Sequence, residues 1–444
     1  MGLLSQIEPR FLNGALQVVK TLREAGHEAL FAGGVVRDLL LRRPVSDIDV
    51  TTSAPPELIE RLFDSTIPVG RQFGVVIVVI DSINYEVATF RKDFDYQDGR
   101  HPGRVEFTSA KEDALRRDFT INALMLDPDK EEVIDFVEGR QDLKNRIIRT
   151  VGDPEARFRE DKLRLMRAVR FACELDFQIE EQTKSALKAR TQEIGDVSHE
   201  RIRDELLKTL VSPRAGLGLE MLRENGLLKV ILPEVAAMSG VEQPPEFHPE
   251  GNVFVHTCLM LKIAAELHPV LALGILLHDV GKPPTFKVAD RIRFNGHAEV
   301  GANMAEDICR RLRVSREDTN RVVALVKDHL HFMHVQEMRE STLKKFLRKN
   351  HFDDHLELHR LDCLASHRDL SNYEFCCRKL SEIGAETLKP ELFLSGHDLI
   401  ELGFAPGPIF SRILSALEDK QLEEEISNRD EALEWVRTTW TPSS

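Results

Sequence analysis

Asp47 and Asp49, one residue apart and downstream of Gly33-Gly34-Val35-Val36-Arg37-Asp38, are the side chains of this 444-residue chain whose types and spacing point most directly to chemistry. On an extended strand, alternate side chains point to the same side, so the two carboxylates aim at one spot while Ile48 packs behind them. That arrangement suits a hard divalent cation. Magnesium held by two carboxylates fills its remaining positions with water and substrate phosphates. The paired glycines let the backbone approach a triphosphate without interference from a Cβ. Either half alone reads as an ordinary turn; together they point to nucleotidyl transfer.

Two further constellations follow in order. Arg116-Arg117-Asp118-Phe119-Thr120-Ile121-Asn122-Ala123 sets two guanidiniums, suited to bidentate phosphate binding, beside a carboxylate that can accept a hydrogen bond from a ribose hydroxyl. In Glu160-Asp161-Lys162-Leu163-Arg164, Asp161 and Arg164 stand three apart on an expected helix and share a face. They present an acceptor beside a fork of donors. Cytosine and adenine each offer an amino donor beside a ring-nitrogen acceptor, so one such pair addresses both, whereas guanine and uracil set like against like.

In this order the motifs resemble the class II branch of the polymerase-β-like nucleotidyltransferases, which contains the bacterial tRNA CCA-adding enzymes, their CC- and A-adding relatives and bacterial poly(A) polymerases. The resemblance runs from about residue 10 to about residue 230 and returns weakly at Leu394-Ser395-Gly396-His397-Asp398-Leu399-Ile400. It implies that Asp47 and Asp49 hold catalytic Mg2+, and that Gly33, Gly34, Arg37, Arg117 and Asn122 serve the triphosphate. It further implies that Asp118 reads the ribose 2′-OH and that Asp161 and Arg164, with Arg167 beside them, select CTP or ATP. Glu86 is the expected third catalytic carboxylate, on the strand that the family sets next to the metal strand. The implied activity is template-independent addition of CCA or the terminal A to tRNA 3′ ends, with tRNA, ATP and CTP as partners. A poly(A) polymerase of the same family is the first alternative, and a phosphohydrolase built on the second half of the chain is another.

That second half carries His256, then His278-Asp279 in Leu276-Leu277-His278-Asp279-Val280-Gly281-Lys282, then His297, then Asp362. The pattern resembles the HD superfamily, whose helical domain binds a divalent metal through a His, a His-Asp pair and a distant Asp. It implies His256, His278, Asp279 and Asp362 as ligands of a second divalent metal, with an open position for phosphoester hydrolysis.

The elements that must position these groups begin with a helix over residues 10–26 and a strand at Ala29–Ala32 that feeds the Gly-Gly turn. A helix from Val36 to Leu41, the metal strand, a helix over 56–63 and strands at 75–80 and 85–90 follow. Residues 91–105, with two glycines, a proline and many charges, read as a mobile loop, and in the family a flexible loop lies here. Its full length from Arg91 to Arg104 favours CCA or terminal-A addition over CC addition alone. From about residue 108 the chain reads as almost wholly helical. The expected fold class is α+β: a polymerase-β-like head with a small mixed sheet, followed by a mostly helical body that includes an HD domain. The expected divisions are a head at 10–145, a helical nucleotide-base and RNA-binding neck at 146–230, an HD-type domain at 231–385 and a helical tail at 386–444.

The net charge of −14 argues against indiscriminate nucleic-acid binding. Between Arg140 and Arg170, however, ten basic residues stand against five acidic ones, so the triphosphate or RNA surface is expected in the first half. Six cysteines without a Cys-x-x-Cys spacing read as reduced thiols. No apolar run of about 18 residues exists to cross a bilayer, and the first residues lack an export-signal pattern. Both features lead to the expectation of a cytoplasmic protein.

Overall fold

A computed structural model describes residues 2–68, 71–96, 102–246, 248–383 and 391–441. The chain forms two compact units, Met1–Ala236 with Arg311–Arg313, and Ala237–Arg310 with Val314–Ser444.

The first unit opens with helix α1 (Pro9–Glu24), which starts on a proline and buries Val18, Val19 and Leu22. Strand β1 (Ala29–Ala32), helix α2 (Gly34–Leu40), strand β2 (Val50–Thr52) and helix α3 (Pro56–Leu62) follow, then strands β3 (Thr66–Ile67), β4 (Val75–Ile80) and β5 (Ile83–Thr89). Strands β8 (Met125–Asp127) and β9 (Glu132–Ile134) complete a seven-stranded sheet of order β3-β4-β5-β2-β1-β8-β9. Only β2 and β5 run parallel; the other neighbours are antiparallel. The register aligns Phe31, Val50, Val87 and Val76 across four strands, and all four are buried. This apolar row fixes which face of each strand looks inward. On β5, Tyr85 and Val87 are buried and Glu86 between them is exposed. The Tyr85 hydroxyl donates to Phe11 O at 3.0 Å and lies so close to α1 that a Cβ on Gly14 would fall 2.3 Å from it. Glycine at that position lets α1 reach the sheet.

Two elements differ from the sequence reading. Arg91–Tyr96 (β6) and Pro102–Phe107 (β7) pair antiparallel as a hairpin, where a loop was expected. Each arm takes its extended form from pairing with the other, a signal that composition does not carry. The expected loop tip, 97–101, lies outside the described residues. Strands β8 and β9 interrupt the stretch expected to be helical; Leu124-Met125-Leu126 suits either state by composition, and pairing with β1 decides it.

Helices α4 (Ala110–Leu115), α5 (Gly139–Asn145), α6 (Pro154–Glu160), α7 (Arg164–Leu175), α8 (Glu181–Arg190) and α9 (His199–Leu210) carry the remainder of this unit that bears on function.

The second unit is mainly helical among the described residues. Helices Val253–Ile263, His297–Arg311 and Phe352–Ala365 carry His256, His297 and Asp362, and His278-Asp279 follows directly on the helix Pro269–Leu277. Pro269–Leu277 is buried along nearly its whole length, which explains its uninterrupted apolar sequence. The weakly resembling segment near the C-terminus forms a helix start: Ser395 and Asp398 make a capping box, and Arg429 pairs with Asp398. Among the described residues no helix is long and apolar enough to cross a membrane.

Candidate active site and candidate metal centre

A cavity of about 430 Å³ in the first unit is lined by Gly33, Gly34, Arg37, Asp49, Glu86, Arg117, Asp118, Asn122, Asp161, Arg164 and Arg167. The structure therefore brings together every site residue read from the first half except Asp47. Asp47 is exposed and accepts from Ser46 Oγ at 3.0 Å. The aspartate pair precedes β2 instead of lying within it. Its backbone is still tied to the middle of the sheet, since Ala32 N donates to Asp49 O at 3.0 Å.

The parallel register Val50↔Val87, continued by one residue, sets Asp49 opposite Glu86. The consequence is electrostatic. Burial, then Glu86, then Asp47 push the Asp49 carboxyl up to about 7 against the pull of Arg117. Three carboxylates crowded this way repel one another, and a divalent cation relieves the repulsion, so the donor set fits a hard cation.

Gly33 turns the chain from β1 into α2 at φ 77°, a conformation costly for residues with a Cβ. An added Cβ there would lie 3.0 Å from Arg117 Nη1 and 4.0 Å from Asp49 Oδ2. At Gly34 the nearest atom, Arg37 Nη2, is 3.8 Å away. Gly33→Ala should therefore raise the KM for the nucleoside triphosphate several-fold more than Gly34→Ala does, as backbone strain of about 1–3 kcal/mol adds to displacement of Arg117. Steady-state kinetics of the two variants checks this.

The guanidiniums are held by carboxylates and backbone. Arg37, buried, donates to both Asp38 oxygens at 2.9 and 2.8 Å and to Asn122 Oδ1 at 2.8 Å. Asp113, 0 % exposed, accepts from Arg116 on Oδ1 and from Arg117 on Oδ2, and Arg117 also donates to Asn122 O at 3.2 Å. Burial opposes the Asp113 charge, but Arg116 and then Arg117 outweigh it and lower its pKa. Asp118 Oδ2 accepts from Arg167 at 2.9 and 2.5 Å. Its carboxyl falls to about 2, because Arg167 and Arg164 overcome burial. Phe171 lies beneath Arg37, Arg167 and Arg170, at 5.3, 5.2 and 4.0 Å from ring centre to guanidinium carbon.

Asp161 and Arg164 do not share one helix. Asp161 stands between α6 and α7 in extended backbone, φ −139° and ψ 104°, and Arg164 opens α7. Nor do they pair with each other. Arg201 of α9 donates to both Asp161 oxygens at 3.1 and 2.9 Å. Arg164 donates to Glu160 Oε2 at 2.8 Å and to Arg157 O and Arg116 O at 3.0 and 3.2 Å. Both line the cavity from a loop and a helix start, each oriented by its own partners.

Sequence reasoning missed Asp113, Arg201 and Glu205, which holds Arg170 at 2.6 Å and lies 3.7 Å from Arg167. Asp113 carried a usable signal, three and four residues before Arg116 and Arg117 on a helix. Arg201 had none, since its partner lies forty residues away in the chain.

In the second unit, His256, His278, Asp279 and Asp362 gather around one point. His256 Nε2 lies 3.0 Å from Asp362 Oδ1 and His278 Nε2 lies 3.2 Å from Asp279 Oδ2, yet both nitrogens are buried without hydrogen-bond geometry to any partner. Glu250 Oε1 lies 2.6 Å from His256 Nδ1, the outer support a ligating histidine commonly has. Burial works against the His256 charge, but Asp362 and Glu250 raise its pKa to about 9. Such a proton must leave when a metal binds. Orphaned buried nitrogens beside carboxylates fit a divalent metal.

The fold and these two centres define a nucleotidyltransferase head followed in sequence by an HD-type helical unit. Residues 29–149 match the model of the poly(A) polymerase head domain, 176–238 that of a probable RNA and SrmB-binding site of polymerase A, and 253–358 that of the HD domain. A CCA-adding enzyme of Geobacillus sp. is 48% identical over 214 residues, 48% of this chain and 53% of that protein. One from Lactobacillus johnsonii is 39% identical over 270 residues, 59% of this chain and 67% of the relative. The chain thus spans about half the length of the first curated relatives it matches. The crystal structure of the Bacillus stearothermophilus CCA-adding enzyme in complex with CTP superposes with a TM-score of 0.74 at 29% identity, covering 97% of this chain and 98% of that one. This chain belongs to the class II tRNA nucleotidyltransferase and poly(A) polymerase family, in the branch that carries an HD domain.

Proposed function

We propose that this protein is a template-independent RNA nucleotidyltransferase that adds CCA, or the terminal A, to tRNA 3′ ends from CTP and ATP with magnesium. The observation that carries the reading is the single cavity in which Asp49 and Glu86 face Arg37, Arg117, Arg164 and Arg167. A strongly anionic triphosphate needs such a surface, and the carboxylates sit where cations would meet the reacting end. Magnesium bound there would lower the pKa of the attacking 3′-OH and neutralise the leaving pyrophosphate. Arg117, held by Asp113, and the Gly33 backbone orient the phosphates. Asp118 offers an acceptor to the ribose while Arg167 fixes its direction, and the Asp161 and Arg164 edges meet the base. The relatives solved with CTP, ATP and tRNA support the choice of substrates.

The test is to incubate purified protein with tRNA ending at the discriminator base, at C and at CC, each with single nucleotides. ATP should be added to the last, and CTP to the first two where the protein builds the whole triplet; CTP left unused on both would mark addition of the terminal A alone. Addition of ATP alone, equally well to any RNA, would mark a poly(A) polymerase instead.

Base choice gives a second expected result. Asp161→Ala should relax discrimination against UTP and GTP by about tenfold or more, as an oriented hydrogen-bond pair supplies about 1–3 kcal/mol of base discrimination. Arg201→Ala should reproduce part of that loss with little change in total triphosphate affinity. Ratios of kcat/KM for the four nucleotides decide it: if all four fall together, Asp161 serves the fold alone.

A further inference from the structure

Lys344 is a cation almost wholly withdrawn from water, 2 % exposed, and it belongs to neither of the two centres described above. It lies on the helix Glu340–Leu347, whose apolar residues Leu343, Phe346 and Leu347 pack with Phe332 and Phe352. Further along the chain, Leu394, Leu399, Ile413, Leu417 and Val436 form another apolar cluster, built on the helices Gly396–Glu401, Pro408–Leu422 and Arg429–Thr439. The two clusters share no residue. The C-terminal segment therefore has a core of its own.

Charge joins it to the helix Glu340–Leu347. Lys344 Nζ donates to Leu422 O at 2.7 Å and lies 2.8 Å from Glu340 Oε1 and 3.8 Å from Glu424 Oε1. Leu422 ends its helix, so the ammonium meets a carbonyl that has no partner within the helix and the negative end of the helix dipole. Lys345 Nζ stands 2.8 Å from Asp419 Oδ1 and 3.3 Å from Glu418 Oε2, and Arg348 Nη2 stands 2.7 Å from Glu418 Oε1. Ser341 Oγ donates to Glu423 Oε1 at 2.8 Å. Positions 341, 344, 345 and 348 share one helix face, and every one of them meets residues 418–424. The cations stand on one side of the joint and the facing acids on the other.

We propose that residues 391–441 form a tail held on the helix Glu340–Leu347 by a charge clasp, which opens when its ion pairs are screened while the tail itself stays folded.

A joint of this kind behaves unlike an apolar one. Apolar contacts survive added salt, whereas ion pairs within reach of water weaken as the screening length falls from about 10 Å at 0.1 M to about 3 Å at 1 M. The side chains of Lys345, Arg348, Glu418 and Asp419 are between 21 % and 44 % exposed, so ions reach them. Burying the Lys344 ammonium costs hydration that undocking returns, which keeps the joint weak in spite of its several contacts. Each apolar cluster lies on its own side of the joint, so opening leaves both intact and moves the tail as one piece.

The tail carries its own reporters. Both tryptophans of the chain, Trp435 and Trp440, lie in it, so energy transfer from them to a dye reads its position and their emission maximum reads its folding. Full-length protein carrying Cys377→Ser, which leaves the buried cysteines, and Thr342→Cys, at an exposed position on the clasp helix, is labelled with a dansyl-type acceptor. Transfer should fall by about half or more, reversibly, between about 0.05 M and about 1 M KCl, with the tryptophan emission maximum unmoved. Lys345→Glu with Arg348→Glu should give the low value already at low salt, and adding Glu418→Lys with Asp419→Lys should restore the high one. Unchanged transfer across the salt range or in the folded charge-reversed variant would overturn the proposal. So would a red shift of tryptophan emission accompanying the fall, since the tail would then be unfolding. Should Lys345→Glu with Arg348→Glu fail to fold, Glu418→Lys with Asp419→Lys alone reverses the other side of the joint and decides. None of these readings depends on nucleotide addition.

Discussion

Asp49→Asn should lower the single-turnover rate of nucleotide addition by well over a hundredfold, beyond the roughly 10–100-fold typical of losing an outer-shell partner of a metal, while tRNA binding stays near wild type. Binding draws on phosphate contacts with basic side chains, and this substitution touches none of them. Stability should move the other way. The Asp49 carboxyl titrates near 7 in the folded protein, above the ordinary value of about 3.9 in an unfolded chain. An acid so shifted opposes folding once pH exceeds the unfolded value, the penalty grows until the folded value is passed, and it is constant above that. At pH 8 in chelator the asparagine variant should therefore melt no lower than wild type. Magnesium should raise the melting temperature of wild type and leave the variant nearly unmoved. A variant that keeps more than a tenth of the wild-type rate would remove Asp49 from the reaction.

Asp113→Ala should be the most damaging substitution of a residue outside the cavity lining. It leaves Arg116, Arg117 and the Arg91 amide without the carboxylate that organises them. Removing one partner of a buried ion pair costs about 3–5 kcal/mol, so a clear fall in melting temperature is expected along with loss of activity. Asp113→Asn keeps the shape and some hydrogen bonding, and separates the two effects: it should recover much of the stability and raise the KM for triphosphate more than it lowers kcat. A variant with wild-type KM would show that the Arg117 orientation does not depend on Asp113.

Much of the first unit was legible in the chain because the relevant signals are local. The apolar periodicity of α1, the all-apolar run of β4, the alternation in β5 and the glycine pair before α2 each appear within a few residues. The cavity residues were legible for a different reason, since their types recur in a fixed order. Features that depend on distant partners were hidden. Leu124-Met125-Leu126 becomes a strand only because β1 offers it an edge, and the charged arms of β6 and β7 become strands by pairing with each other. The break after Glu160 carries no glycine or proline, so the sequence suggested a continuous helix through Asp161 and Arg164. Asp161 instead takes its orientation from Arg201 on α9. His329 sits in a segment with His331 and His334, and nothing in the sequence distinguishes the one that turns inward.

The order in which the sheet is built has a consequence for synthesis. Phe31 pairs with Leu126, and the amide of Gly33 donates to Leu124 O at 3.1 Å, so the turn that shapes the phosphate-facing rim, tied on one side to β2, is held on its other side by residues made nearly a hundred positions later. Until those residues leave the ribosome, β1 presents an open apolar edge, the kind that recruits other chains. Such long-range closure is also slow. Nascent chains arrested before residue 124 should therefore be protease-sensitive and prone to self-association, with both properties disappearing once the segment through Ile134 has emerged.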